Sequence, residues 1–254
     1  MRHIPQIPDQ PVPEPPPTPA RRKSEPIFNL PRVVVALLII MACVHLLRMS
    51  LSFQDDLVFL AWFAFIPARF SGDYSAFPGG VFGDVWTFVS YAFLHGSWLH
   101  LFTNGLWMCV FGSAVARRFG TARFLAFCTL GAVGGAAAHL IVHAGDVVPV
   151  VGASAAIAAL MAGAARFVFD RYSPLRFPGL GSDERFQQPA RPLGETFANR
   201  AALTFIALFF IINLATGVGT AVSPGVSIAW EAHIGGFLVG LFAFPFLDPI
   251  PPAR

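Results

Sequence analysis

The chain has 254 residues, of which 55% are hydrophobic and only 12% charged, and its formal net charge is +3. Soluble domains carry about 25% charged residues, so this composition, with a mean hydropathy of +0.63, excludes an ordinary soluble domain. Cys43, Cys109 and Cys128 all fall inside apolar runs, which argues for small buried thiols and against a disulfide framework.

Residues 1–30 combine many prolines with the basic cluster Arg21-Arg22-Lys23. Such a segment cannot bury a core and reads as a disordered tail. Its apolar stretch comes too late for a signal peptide. Apolar runs then predict six membrane spans, at about 33–49, 98–116, 124–142, 154–169, 201–218 and 228–246, each near the roughly 17 to 25 residues that cross a bilayer. The fold class is therefore all-α membrane protein, with a domain over 31–248 and a short C-terminal tail at 249–254. Between the first two spans, residues 52–95 are rich in aromatics and broken by Asp55, Asp56, Asp73, Asp84 and glycines. The apolar piece Leu57–Pro67 is too short to cross. This stretch reads as a long loop whose short helices lie in the membrane interface, where aromatic rings favour the headgroup level. A second polar loop, rich in proline and arginine, covers 170–199.

Six spans put both termini on one side. Arg2, Arg21, Arg22, Lys23, Arg32, Arg117, Arg118, Arg123, Arg166, Arg171, Arg176, Arg185, Arg191, Arg200 and Arg254 fall on that side, and only Arg48 and Arg69 on the other. The positive-inside rule makes the tail side cytoplasmic and the aromatic loop external. The basic balance thus follows topology and gives no reason to invoke nucleic acid.

Gly152-Ala153-Ser154 opens the fourth span. A serine at a helix start is ordinarily a cap. Depth singles this one out. At 1.5 Å per residue, Ser154 lies roughly 18 to 25 Å above the cytoplasmic end of its span, His233 about 22 Å above Asp248, and His100 and Asn104 about 25 and 20 Å above Arg117. All four fall at one level, a little below the outer surface of a core about 30 Å thick. Gly236 and Gly240 follow His233 on its own helix face, and glycines four apart let two helices approach closely. The fourth span is alanine-rich, with Ala158, Met161 and Ala165 on or near the Ser154 face. A seam between these two spans would bring His233 to Ser154. An imidazole can take the proton of a serine hydroxyl and make it a nucleophile. Glu231, two residues before His233, falls on another face, which favours a Ser–His dyad over a triad. His100 and Asn104, at i and i+4, and the free N–H of Ser154 could act as donors to an oxyanion.

These residues resemble the rhomboid family of intramembrane serine proteases. The resemblance rests on His95-Gly-Ser-Trp-Leu-His100-Leu-Phe-Thr-Asn104, on Gly152-Ala153-Ser154, and on Ala232-His233-Ile-Gly-Gly236-Phe-Leu-Val-Gly240. It covers about residues 33–246. It implies a six-helix rhomboid-like bundle of bacterial type in the plasma (inner) membrane, with Ser154 and His233 catalytic, His100 and Asn104 in the oxyanion hole, and His95 and Gly152 in support. It implies cleavage of transmembrane protein substrates near the outer face, with no cofactor. The fifth span and the loop at about 218–228 would then gate access. Three positions depart from the family pattern. Ala155 replaces a glycine, and its methyl is expected to tighten the Ser–His approach. Thr87 follows Trp86 where the family has an arginine, which is expected to loosen the first loop. Ala158 replaces an aromatic under the base, so His233 is expected to be held differently.

Three other readings were weighed. His139 and His143, at i and i+4, have metal-pair spacing, but the sequence shows no accompanying ligand set, so no metal is expected. A rhomboid-like protein that binds client spans without cutting them would not need both Ser154 and His233. A transporter would be expected to carry acids within its spans, and this chain has almost none. No nucleotide-binding loop is present.

Overall fold

The computed structural model describes residues 29–72, 77–169, 186–221 and 228–251. Residues 1–28 of the expected tail, most of the 170–199 loop and most of the 218–228 loop lie outside these residues. Nine α-helices are found among the described residues: α1 (Arg32–Met49), α2 (Phe53–Phe63), α3 (Gly80–Ser90), α4 (Trp98–Trp107), α5 (Ser113–Val142), α6 (Ser154–Ala165), α7 (Leu193–Ala198), α8 (Arg200–Ala221) and α9 (Trp230–Leu247). A π-helical turn, Met108–Gly112, joins α4 to α5. No strand forms among them beyond an isolated Phe65–Val150 bridge.

The apolar stretch Trp98–Val142 is helical over 45 residues, about 68 Å at 1.5 Å per residue and more than twice the hydrocarbon core. Gly120 resolves the excess. Its φ of 71° and ψ of 171° break the helix inside α5, at the boundary expected between the second and third spans. Together with α1, α8 and α9, which are long and apolar enough to cross, the two halves give five long segments, and the short α6 is the sixth helix of the bundle. The chain is an all-α integral membrane bundle. Ile39, Phe102, Ile141 and Ile211 are exposed, as side chains that face lipid are.

Helix α6 has only 12 residues, about 18 Å, and cannot cross the core alone. It lies between α5 and α9 and is buried from Ala155 to Ala165 except for Met161. Its neighbours approach through glycines. A Cβ on Gly236 would lie 2.2 Å from the Ala155 carbonyl oxygen, and one on Gly240 would lie 2.4 Å from the Ala159 Cα. On the other flank, Gly131 and Gly135 of α5 face Ala159 and Ala155. The close seam therefore runs through Ala155 and Ala159, one position from the expected Ala158 face. The Ala155 methyl points at Gly135, where an added Cβ would lie 2.3 Å from it. The expectation that this methyl tightens the Ser–His approach is thus corrected: it packs into α5.

Among its described residues the first loop is built from α2, α3 and two 3-10 turns. Ser52 caps α2 by accepting from Asp55 N, and Asp55 and Asp56 sit in its positive first turn. Arg69 is 1% exposed. It donates to Ala61 O at 2.7 Å and Pro78 O at 3.1 Å and pairs with Asp84 at 3.3 Å. Trp86 stacks on Trp62 and donates to its carbonyl at 2.8 Å. The loosening expected from Thr87 is corrected as well, because Arg69 ties the loop together from another position. At the opposite end of the bundle, buried Arg118 donates twice to Asp248, at 2.9 and 2.8 Å, and to Phe186 O and Gln188 O, both at 2.7 Å. This fork fastens α5 to the end of α9.

Overpacking a close helix contact costs about 1–3 kcal/mol. Gly240→Ala should accordingly lower the thermal midpoint in detergent by several degrees. Gly105→Ala, whose Cβ would meet only the Leu38 side chain at 3.5 Å, should leave it unchanged or raise it. Melting both variants beside the parent protein checks this.

Candidate active site

Ser154 is placed from both sides. Ahead of it, the segment entering α6 is pinned to the first loop. Phe65 N donates to Val150 O at 3.1 Å, Val150 N to Phe65 O at 2.8 Å, and Gly152 N to Tyr91 O at 3.0 Å. Tyr91 is itself anchored by its hydroxyl to Ala132 O at 2.8 Å. Gly152 takes a φ of 127°, and a Cβ there would lie 2.7 Å from His100 Nε2. Only glycine permits both that backbone and that contact. Behind Ser154, the glycine seam brings α9 close enough that Ser154 Oγ and His233 Nε2 lie 2.8 Å apart.

A third residue, Asn213 of α8, completes the chain. Its Nδ2 donates to Phe209 O at 2.7 Å, which turns its Oδ1 toward His233 Nδ1, also at 2.7 Å. An amide oxygen can only accept. These bonds assign the proton of His233 to Nδ1 and leave the Nε2 lone pair for the Ser154 hydroxyl. Sequence reasoning reached a two-residue arrangement and missed Asn213. The signal was present as a lone asparagine inside an apolar span, where a polar side chain is costly and finds a partner. The ring of His233 is held by this amide, and Ala158 below it contributes no ring.

His100 and Asn104 lie on one face of α4, whose start is fixed by Ser97 Oγ accepting from His100 N at 3.2 Å. Asn104 is 4% exposed. Its Nδ2 has no hydrogen-bond partner among the described residues, so a buried donor stands unused. With Ser154 and His233, both residues line a cavity of about 760 Å³ whose other walls include Trp107, Met161, Phe205 and Phe209. The Ser154 N–H begins α6 and has no intrahelical acceptor. The site thus offers a hydroxyl against an imidazole, with unspent donors nearby, in an apolar chamber.

His95 stands behind His100, ring edge to face at a centroid distance of 5.1 Å. Its carbonyl accepts from Arg48 Nη1 at 3.1 Å and lies 3.1 Å from His45 Nδ1. Arg48 in turn pairs with Asp56 at 2.7 Å. His95 thus links α1, through Arg48 and His45, to the ring of His100. Burial first, and then the neighbouring His100, push its imidazole down to about 4.

His139 and His143 do not stand alone. Glu231, expected on an unrelated face, reaches them: His143 Nε2 lies 3.0 Å from one of its oxygens and His139 Nδ1 3.6 Å from the other. Asp146 lies 2.9 Å from His143 Nδ1. The expectation that this pair lacks a nearby carboxylate is corrected. The sequence hides it because Glu231 is 88 residues from His143 and meets it only through the packing of α9 on α5.

A short, largely buried helix carrying a serine, clasped by a glycine-bearing helix that carries a histidine, defines an all-α membrane protein with a serine–histidine site inside the bundle. The family model described as Rhomboid domain matches residues 83–248, and the chain belongs to the rhomboid family. Over 92 residues it is 29% identical to the Rhomboid protease GlpG of Haemophilus influenzae. That match takes in 36% of this chain and 42% of the relative, so the chain spans less than half the length of the relative it matches.

His95 supplies a pH prediction. Its folded value is lowered, so the neutral ring is favoured by the fold. The associated stability is complete above the unfolded value near 6.5 and is lost as pH falls from there toward about 4, up to about 3 kcal/mol. Thermal midpoints measured in detergent between pH 7 and 4.5 should fall with acidification, and less steeply in His95→Gln.

Proposed function

We propose that this protein is an intramembrane serine endopeptidase that hydrolyses peptide bonds in or near transmembrane segments of protein substrates. The observation that carries this reading is the chain of contacts from Asn213 through His233 to Ser154, ending in a chamber that also holds the unpartnered Asn104 donor. The protease named in Haemophilus influenzae supports the same chemistry.

Ser154 Oγ attacks the scissile carbonyl carbon while its proton passes to His233 Nε2. The C–O bond forms and the carbonyl π pair moves to oxygen. Asn104 Nδ2–H, an N–H of His100 and the Ser154 N–H stabilise that oxyanion, and in a dry site such donors are worth far more than in water. As the tetrahedral species collapses, the C–N bond breaks and the amine takes the proton from His233. Water then attacks the Ser154 ester carbonyl and gives a proton to His233; as this second tetrahedral species collapses, the C–Oγ bond breaks, Ser154 Oγ takes the proton back from His233, and the acid product leaves. Asn213 positions the imidazole and holds its tautomer throughout; an amide cannot become charged, so it steadies the imidazolium only as a dipole. The apolar walls from α4 and α8 suit a substrate span arriving from the lipid. Two expectations belong to the same proposal: both termini are cytoplasmic in a bacterial plasma membrane, and Ser154 is reached by water from outside.

Purified protein incubated in detergent with a model transmembrane substrate tests this. Ser154→Ala and His233→Ala should lose cleavage. If either retains it, these roles are wrong. Asn104→Ala should lower kcat about 10²- to 10³-fold, the cost of removing one oxyanion donor. Asn213→Ala should lower kcat at least about 10-fold through loss of ring orientation and tautomer, with KM nearly unchanged.

A further inference from the structure

The cluster of His139, His143 and Glu231 has no part in the serine chemistry. It sits at the end of α5 and the first turn of α9, on the far side of α9 from the Ser154 contact. One nitrogen from each histidine and one carboxylate oxygen lie within 4.8 Å of one another. His139 is 7% exposed, and its Nδ1 is buried with no hydrogen-bond partner. This nitrogen is aimed at the Glu231 carboxylate from 3.6 Å, too far for a hydrogen bond. Among the described residues this nitrogen makes no hydrogen bond and only a long pairing with Glu231, which leaves room for a ligand between the two groups.

We propose that His139 Nδ1, His143 Nε2 and Glu231 form a binding site for a divalent transition-metal cation of the zinc class, which clamps the first turn of α9 to the end of α5. Two ligands on a tetrahedral zinc, each about 2.0–2.1 Å from the metal, stand about 3.3 Å apart. Glu231 Oε1 lies 3.0 Å from His143 Nε2 and Glu231 Oε2 3.6 Å from His139 Nδ1, so each imidazole already stands near that spacing from the carboxylate; the two rings are stacked at 4.4 Å, and one of them turns to bring both nitrogens onto a single cation. The donor set, two imidazoles and one carboxylate, suits Zn²⁺ and Co²⁺; magnesium and calcium prefer all-oxygen sites.

Asp146 strengthens the assignment. It lies 2.9 Å from His143 Nδ1. A metal-bound histidine almost always gives its second N–H to a carboxylate or carbonyl, which fixes the ring and raises its basicity. Here that acceptor is in place. His143 meets a carboxylate at each nitrogen, so coordination replaces a proton at Nε2 and keeps the one at Nδ1. The His143 and Asp146 side chains are 34% and 53% exposed, so a cation has a path from water. A water molecule would take the fourth position.

The site stands independently of the proteolytic reading. Glu231 is two residues from His233 on the same helix, so an occupied site would also hold α9 in register where the histidine is needed.

The test uses the full chain in detergent, with no affinity tag and stripped of metal. Co²⁺ is titrated while its visible absorption is followed, with Zn²⁺ as competitor. One equivalent of Co²⁺ should give a tetrahedral band that Zn²⁺ abolishes, and Zn²⁺ should raise the thermal midpoint. His143→Gln and Glu231→Gln should abolish the band, and Asp146→Asn should weaken binding about 10-fold or more. His143 is partly exposed, so its replacement leaves the bundle folded, which the melting curve of the variant checks. His233→Ala and His100→Ala should bind as the parent does. The proposal is overturned if the parent protein gives no band, if His143→Gln binds unchanged, or if binding is lost in His233→Ala and kept in His143→Gln.

Discussion

The contact between α6 and α9 governs the rest of the structure. Ser154 and His233 are 79 residues apart in sequence. They meet because Gly236 and Gly240 let two helix backbones touch at Ala155 and Ala159. In a bilayer, lipid tails are as apolar as leucine, so helices associate through close packing and polar contacts. Small residues are therefore the means of association here. They also hold α6, a helix of only 12 residues, between two longer ones.

Polar groups in such a place carry a cost, and the molecule answers it differently at different positions. Leaving a buried donor unpaired costs about 1–3 kcal/mol. Arg69 and Arg118 meet this with several acceptors each, and both serve as fasteners, one in the first loop and one at the opposite end of the bundle. Asn213 spends both halves of its amide, on Phe209 O and on His233. Asn104 does not, and its idle Nδ2 faces the chamber that holds Ser154. His139 Nδ1 is idle in the same sense at the α5–α9 junction. The pattern separates groups that hold the fold from groups left available to something that arrives.

Much of this was legible in the sequence because it is written in local patterns. Span length, the distribution of arginines and the glycines following His233 gave the bundle and the neighbourhood of Ser154 and His233. What stayed hidden depends on the rotation of one helix against another. The Ala155 methyl was expected to tighten the Ser–His approach, yet it meets Gly135, because α6 has a second close neighbour in α5. Thr87 was expected to weaken the first loop, yet Arg69, eighteen positions earlier, ties it through backbone carbonyls that no side-chain pattern advertises. Asn213 was passed over, and Glu231 was set on another face with no link to His139 and His143, since each is a single polar residue without a spaced partner on its own helix. Their partners come from elsewhere in the bundle.

The central claim is that the seam delivers an activated serine inside the bundle. Reaction with a fluorophosphonate probe, followed by mass spectrometry of the labelled peptide, tests it most directly, because it reads the nucleophile without needing a substrate. The account predicts covalent labelling at Ser154 in the parent protein and its loss in His233→Ala, with the bundle still folded. Absence of labelling at Ser154 in the parent, or labelling that persists undiminished in His233→Ala, would contradict it.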